Sequence, residues 1–128
     1  MKPTTSEWFN AAEDDLLSAK KLSEETRLTN IVAFHCQICL EKSIKGFIEQ
    51  RELPSIKSHD LIRLSELAEL ILSEDEQMKI AIINEVYIDS RYPGELGLMP
   101  NGKPSPDEIK QFISFTETLF NRLKSLSD

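Results

Sequence analysis

Residues 29–51 place apolar side chains on more than one side of a helix, and this limits what the chain can fold into. Phe34, Ile38 and Ile48 fall on one side at helical spacing. Ala33, Leu40, Ile44 and Phe47 fall on another, with Val32, Cys36 and Cys39 near by. A helix that is apolar on several sides is packed by neighbours all round, so it belongs at the centre of a bundle. The same turns also carry His35, Gln37, Glu41, Lys42 and Lys45. Polar groups on a largely buried helix cost free energy unless they are paired or used. That conflict between burial and polarity is the strongest functional signal in the chain.

The remaining segments supply neighbours for such a helix. A first helix is expected to open at Thr4-Thr5-Ser6-Glu7, with Thr4 and Glu7 at capping-box spacing. Its stripe reads Trp8, Ala12, Asp15, Ala19, Leu22, broadened by Phe9, Leu16 and Leu17. Asp15 interrupts that stripe, either at the edge of the face, bonded to a neighbouring helix, or in a catalytic role. Thr29 or Asn30 is expected to cap the central helix, which ends before Pro54 because the residue ahead of a proline avoids helical geometry. Ser58 is expected to cap a third helix, with His59 and Asp60 in its first turn and Leu61, Leu64, Ala68 and Ile71 as its inner stripe. Ser73 and Glu76 form a capping box for a fourth helix reaching about Ser90, with Met78, Ile82, Ile83 and Val86 turned inward. Ser105, Pro106 and Glu108 open a fifth, whose core stripe is Ile109, Phe112, Thr116, Leu119, Leu123 and Leu126, widened by Ile113 and Phe120. Residues 93–106 hold seven of the ten prolines and glycines, so an irregular connection is expected there. No strand pattern or repeat interrupts this order. The expected fold is all-α, an up-and-down bundle of four to five helices forming a single domain over residues 1–128.

Charge and composition narrow the function classes. With 40% hydrophobic and 29% charged residues, the chain is an ordinary globular one. No apolar run approaches the ~18 residues that span a bilayer, so no membrane association is expected. The first seven residues lack an apolar signal core, and a cytoplasmic location is expected. A net charge of −7 argues against a surface that coats nucleic acid generally. The charge is uneven, however: residues 27–63 carry a net +2 and both histidines, while the remainder carries −9. A local anion site fits that less acidic third. Cys36 and Cys39 form a C-x-x-C, but within a helix pattern and with no strand before it. They are read as buried small hydrophobes, and neither a metal nor a cofactor is expected.

Several segments together resemble the HEPN domain family in its small stand-alone prokaryotic form. The first helix contributes Trp8, Ala12, Asp15, Leu16 and Ala19. The second contributes Phe34, His35, Gln37, Glu41, Lys42 and Lys45, a pattern F-H-x-Q-x-x-x-E-K-x-x-K. The third contributes Lys57-Ser58-His59-Asp60-Leu61 and Leu64, and the fourth Tyr87 and Arg91-Tyr92-Pro93. The resemblance implies a helical bundle that commonly dimerises and an association with nucleotides or RNA. It also implies kinship with ribonucleases and toxins encoded beside a small nucleotidyltransferase, as in toxin–antitoxin systems. Those enzymes use an Arg followed four to six residues later by a His, often meeting a second such site across a dimer. Here Arg91 is followed by Tyr92-Pro93-Gly94-Glu95-Leu96-Gly97-Leu98, and no His follows residue 59. The enzyme pattern is therefore incomplete.

Three functions are carried forward. In the first, a catalytically weak or inactive module binds nucleotide or RNA, with Lys42, Lys45, His59 and Arg91 contacting phosphate and Tyr92 stacking on a base. The plain alternative for each cation is an internal pair, such as Glu41 with Lys45 four residues on. In the second, the chain is a dimerising interaction module that binds a protein partner such as a nucleotidyltransferase. In the third, His35 or His59 replaces the missing histidine as general base of a metal-independent ribonuclease. A further expectation is a partly buried cluster of Asp15, Glu41 and Arg91 between the first, second and fourth helices.

Overall fold

The computed structural model describes residues 1–91 and 103–128, with the backbone alone at 88–91. Tyr92 and most of the segment rich in proline and glycine lie outside the described residues. Five α-helices occur among the described residues: α1 (Pro3–Leu22), α2 (Thr29–Gln50), α3 (Leu61–Leu67), α4 (Glu74–Arg91) and α5 (Pro106–Ser127). They form an up-and-down bundle, and no strand occurs among the described residues.

α2 is the axis of this bundle, in contact with all four other α-helices. Val32, Ala33, Cys36, Cys39, Leu40 and Ile44 are all at 0% exposure, on more than one side of the helix as its sequence requires. Its start differs from expectation. A 3-10 turn, Thr26–Leu28, runs directly into it, Leu28 takes the N-cap position, and no side chain caps it. α1 lies antiparallel along α2. The start of α1 is tied to the end of α2 by Lys2 N donating to Gln50 Oε1 at 2.9 Å and by Thr4 Oγ1 donating to Glu49 Oε1 at 2.9 Å. Thr4 thus reaches across to the neighbouring helix instead of capping its own, and Pro3 occupies the first helical turn, where its missing N–H costs nothing. Gly46 sits at the crossing. A Cβ there would come within 3.0 Å of Trp8 Cβ and of Phe9 Cε2, so the glycine sets how closely the two helices approach.

The buried face of α4 is rotated from the stripe read in the sequence, whereas that of α1 follows its stripe apart from Thr5 and Leu17. On α1 the buried set is Thr5, Phe9, Ala12, Leu16 and Ala19, and Leu17 is exposed. On α4, Ile80, Ile83 and Tyr87 are buried, whereas Met78 and Ile82 are exposed. Ile71 lies between α3 and α4 at 95% exposure, because α3 ends at Leu67, before the expected stripe does. Leu126, in the last turn of α5, is also exposed. The capping boxes are formed as expected: Ser73 with Glu76 opens α4 and Ser105 with Glu108 opens α5, each with reciprocal bonds of 3.0 and 3.1 Å.

α3 begins two residues later than its sequence suggests. Asp60, not Ser58, is the N-cap, its carboxylate accepting from Ile62 N at 3.0 Å and Arg63 N at 3.4 Å. Ser58 Oγ instead accepts from Asp60 N. Asn84 on α4 clamps this start, donating to Asp60 Oδ1 at 3.2 Å and accepting from Leu61 N at 3.0 Å. His59 therefore lies in the linker just ahead of α3, held against both α2 and α4.

Candidate functional site

The polar residues of α2 point to two carboxylates, each bridging one lysine and one histidine. Asp15 on α1 receives His35 Nδ1 at 2.9 Å on one oxygen and Lys42 Nζ at 2.7 Å on the other. His35 and Lys42 are seven residues apart, two turns of α2, so both face the same stretch of α1. Asp15 is thus bonded to a neighbouring helix, one of the readings its place in the stripe allowed. Its side chain is 12% exposed and fully partnered.

Glu41 is the second anchor, with only 6% of its surface exposed. Lys45 Nζ donates to its Oε2 at 2.9 Å, one turn along α2 in the favourable order. His59 Nδ1 donates to Oε1 at 2.9 Å from the linker before α3. Gln37, one turn before Glu41 and fully buried, donates to the backbone oxygen of His59 at 2.6 Å and lies 3.4 Å from Glu41 Oε1. The linker is thereby fastened to α2 through both the ring and the main chain of His59. Gln37 Oε1 is a buried acceptor with no partner among the described residues.

Because a carboxylate only accepts, the proton in each His–carboxylate bond lies on Nδ1. Nε2 is then the ring nitrogen left for a ligand, and it accepts when the ring is neutral and donates when it is charged. Neither Nε2 has a partner among the described residues. The two rings are linked by a row of aromatic contacts: His35 edge-on to Phe34 with centroids 5.7 Å apart, Phe34 to Tyr87 at 5.5 Å, and Tyr87 to His59 at 6.2 Å. His59 is the most open member, its side chain 56% exposed, against 24% for His35, 31% for Lys42 and 13% for Lys45. Lys45 Nζ also lies 5.8 Å from the Trp8 ring centroid.

His35, Lys42, Lys45 and His59 therefore gather along one side of α2. Both lysines are internally paired, as the plain alternative for them required. Asp15 and Glu41 belong to the same region but share no cation among the described residues: each has its own lysine and histidine. The side chain of Arg91, the third member expected with them, lies outside the described residues, as does Tyr92. The backbone places Arg91 in the last position of α4, four residues beyond Tyr87. Sequence reasoning missed Asn84 as a clamp, since an Asn in the third turn of a helix carries no signal of its own. It also missed the Phe34–Tyr87 ring pair as part of the site, although both residues stand in the patterns quoted above.

Cys36 and Cys39 take no part. Both are buried and free, and burial pushes each thiol up to about 12. No group of three or more metal-binding side chains is found among the described residues. No helix among them is long and apolar enough to cross a membrane.

Comparison with known proteins agrees with the architecture. No curated protein matches the chain. Among solved structures, ST0689, described as an archaeal HEPN homologue, superposes with a TM-score of 0.75 at 22% identity, covering 100% of both chains. TT1696 from Thermus thermophilus superposes with a TM-score of 0.80 at 19% identity, covering 97% of this chain and 98% of that one. At such identities the likeness concerns the fold. The family model for the HEPN domain, however, matches residues 5–126 directly, nearly the whole length. On that match, and with the helical order and the α2 pattern in place, the chain belongs to the HEPN domain family.

Proposed function

We propose that this HEPN protein is a nucleotide- or RNA-binding helical module without efficient ribonuclease activity, acting as a homodimer beside a small nucleotidyltransferase. One observation carries the reading: two histidines, each fixed through Nδ1 to its own carboxylate, Glu41 buried and Asp15 partly so, stand at the ends of the Phe34–Tyr87 ring pair with Nε2 unpartnered among the described residues. Packing alone gives no use for two imidazoles, one on the central helix and one in the linker beside it, each oriented by a carboxylate. A ligand that offers phosphate oxygens to the imidazoles and a base near the rings uses every part of the arrangement. Lys42 and Lys45 add positive charge close by, reduced by their own carboxylates. Arg91, the last residue of α4, and Tyr92, which follows it in the sequence, belong to the same proposal as further phosphate and base contacts. The absence of an Arg–x4–6–His motif supports the lack of efficient cleavage, since removing a general acid or base costs ~10²–10⁴ in rate.

A second reading has its own support. A histidine oriented by a carboxylate is also what a general base requires, so His59 is the residue to watch for residual cleavage. One experiment separates the readings. Fluorescence anisotropy with a labelled single-stranded RNA at low salt, competed with AMP and ATP, should show binding that weakens steeply as salt rises. His59→Ala should weaken it at least tenfold while leaving the helical circular dichroism unchanged. No binding of any of these probes at low salt leaves only a protein-interaction module. Cleavage of the RNA that is lost in His35→Ala or His59→Ala establishes the ribonuclease instead.

A further inference from the structure

The chain has two histidines, His35 and His59, and both belong to the site on α2. Their hydrogen bonds fix a protonation pattern as well as a position. The second oxygen of each carboxylate holds an ammonium: Lys42 Nζ lies 2.7 Å from Asp15 Oδ2, and Lys45 Nζ lies 2.9 Å from Glu41 Oε2. A carboxylate in that setting is an anion near neutral pH and has no proton to give. Each ring must therefore supply the proton of its own 2.9 Å bond, from Nδ1. A neutral imidazole has one N–H, so in both rings Nε2 is left as a bare lone pair.

That lone pair does not suit a phosphate. The oxygens of a phosphodiester only accept, and two acceptors facing one another make no hydrogen bond. Turning the ring over to offer Nδ1–H would break its bond to the carboxylate and leave an oxygen of Asp15 or Glu41 without its donor. The remaining route is a proton taken from solvent at Nε2. The imidazolium then donates from both nitrogens, Nδ1–H to the carboxylate and Nε2–H to the phosphate, and one cation stands between two anions. No other bond forms or breaks.

Among the described residues, the charged groups that face His35 are Asp15 of α1 and, on the far oxygen of that carboxylate, Lys42 of α2. Those that face His59 are Glu41 of α2 with Lys45 behind it, and the Tyr87 ring of α4 at 6.2 Å. Asp60, next in the chain, is turned to the start of α3 and to Asn84. Carboxylates, lysines and tyrosines ordinarily keep their charge between about pH 6 and 8, where imidazole changes its own. Any strong pH dependence of binding in that range therefore reports on these two rings.

We propose, resting on the nucleotide- or RNA-binding reading, that phosphate binding at His35 and His59 is coupled to proton uptake at Nε2. The complex holds more protons than the free protein, so affinity rises as pH falls and levels off once the free rings are already charged. The site grips its ligand in acid and releases it in base. Phosphate contacts made by lysine and arginine alone would stay constant over the same range. Asp15 and Glu41 act here as positioning residues, since each decides which nitrogen of its histidine carries the proton.

The test uses the whole protein with two phosphodiester probes that do not themselves titrate near neutral pH, a short oligouridylate and cyclic AMP. Titration calorimetry in buffers of different ionisation heat counts the protons taken up on binding. Affinity at about pH 6 should exceed that at about pH 8 at least tenfold, since each proton taken up contributes up to ~10-fold per pH unit. His35→Ala and His59→Ala should each take up fewer protons than the wild type. Nitrogen-15 spectra of the free protein in mild base should show both neutral rings protonated on Nδ1. In Glu41→Gln, Lys45 keeps the amide oxygen and the amide NH₂ faces His59, so that ring should carry its proton on Nε2 and proton uptake should fall. Binding with no proton uptake and equal affinity at both pH values overturns the coupling and leaves the nucleotide reading standing. Neutral wild-type rings protonated on Nε2 do the same. If neither probe binds at any pH, both readings fall together.

Discussion

Glu41 holds three donors while 6% of its surface remains exposed, and this makes it the side chain on which the linker before α3 depends. Removing it strands the Lys45 ammonium, which is itself largely buried, whereas the half-exposed His59 can turn toward water. Breaking a buried pair from one side costs ~3–5 kcal/mol. The freedom of His59 puts Glu41→Ala at the low end, about 3 kcal/mol, measured as the shift in urea unfolding free energy. A loss below ~1 kcal/mol would show that the carboxylate is not a structural anchor. Cys36 and Cys39 make a pH prediction of opposite character. Their thiols are pushed up to about 12 in the fold from an ordinary 9.0. The unfolded chain therefore loses these two protons first as pH rises, and stability falls from about pH 9 toward 12. Below pH 9 the contribution is fully present. A Cys36→Ala, Cys39→Ala double variant should start lower in stability, through lost packing, yet fall less steeply between about pH 8 and 10. Equal slopes would contradict the burial of the thiols. For the same reason, neither cysteine should react with a thiol reagent at neutral pH until the protein unfolds.

At the level of the helix, Gly46 shows how close packing overrides propensity. An alanine in a helix interior is ordinarily favoured over glycine by up to ~1 kcal/mol. Here the added Cβ would sit 3.0 Å from Trp8 Cβ, an atom fixed to the backbone of α1. The two helices must move apart, and overpacking of this kind costs ~1–3 kcal/mol. Gly46→Ala should therefore lower the thermal midpoint, and an unchanged or raised midpoint would mean that α1 gives way freely. This contact was not legible in the sequence, where Gly46 is only a blemish in a helix. The caps of α4 and α5 were legible because a capping box is a local pattern of Ser and Glu three apart, and nothing distant competes with it. The start of α3 was not, because its cap is decided by Asn84, which recruits Asp60 from another helix. Likewise the stripe of α4 was misread in its facing, with Ile80 inside where Met78 also fits a helical spacing, and Leu17 of α1 was read as inward but is exposed. The candidate site divides in the same way. Its members on α2 stand out as polar residues on a buried helix. Their partners had to be found in space: Asp15 twenty residues before His35, and His59 eighteen beyond Glu41.

For the molecule as a whole, the fold followed from one helix. A segment that must be covered on several sides demands neighbours on several sides, and the chain has just enough amphipathic helices to supply them. They do not cover it completely. Ile31 remains 38% exposed, and Phe34 and Ile38, at three and seven residues beyond it, are only half-buried. These three lie on one face of α2, beside His35, and Leu17 on the antiparallel α1 is 56% exposed. A continuous apolar stripe on the central helix is more than a monomer of this size needs to show. The expected outcome is a homodimer formed through this face, which would set the histidine regions of two copies near one another. A specific dimer should bury at least ~1,000 Å² in total. Multi-angle light scattering at high micromolar concentration should give about twice the chain mass of 14.6 kDa. Ile31→Glu should return the mass to that of the monomer, while Ile62→Asp, at an exposed position on α3, should leave the dimer intact. A monomer at high micromolar wild-type concentration would refute the dimer. A dimer indifferent to Ile31→Glu would move the interface to another face and separate it from the histidines.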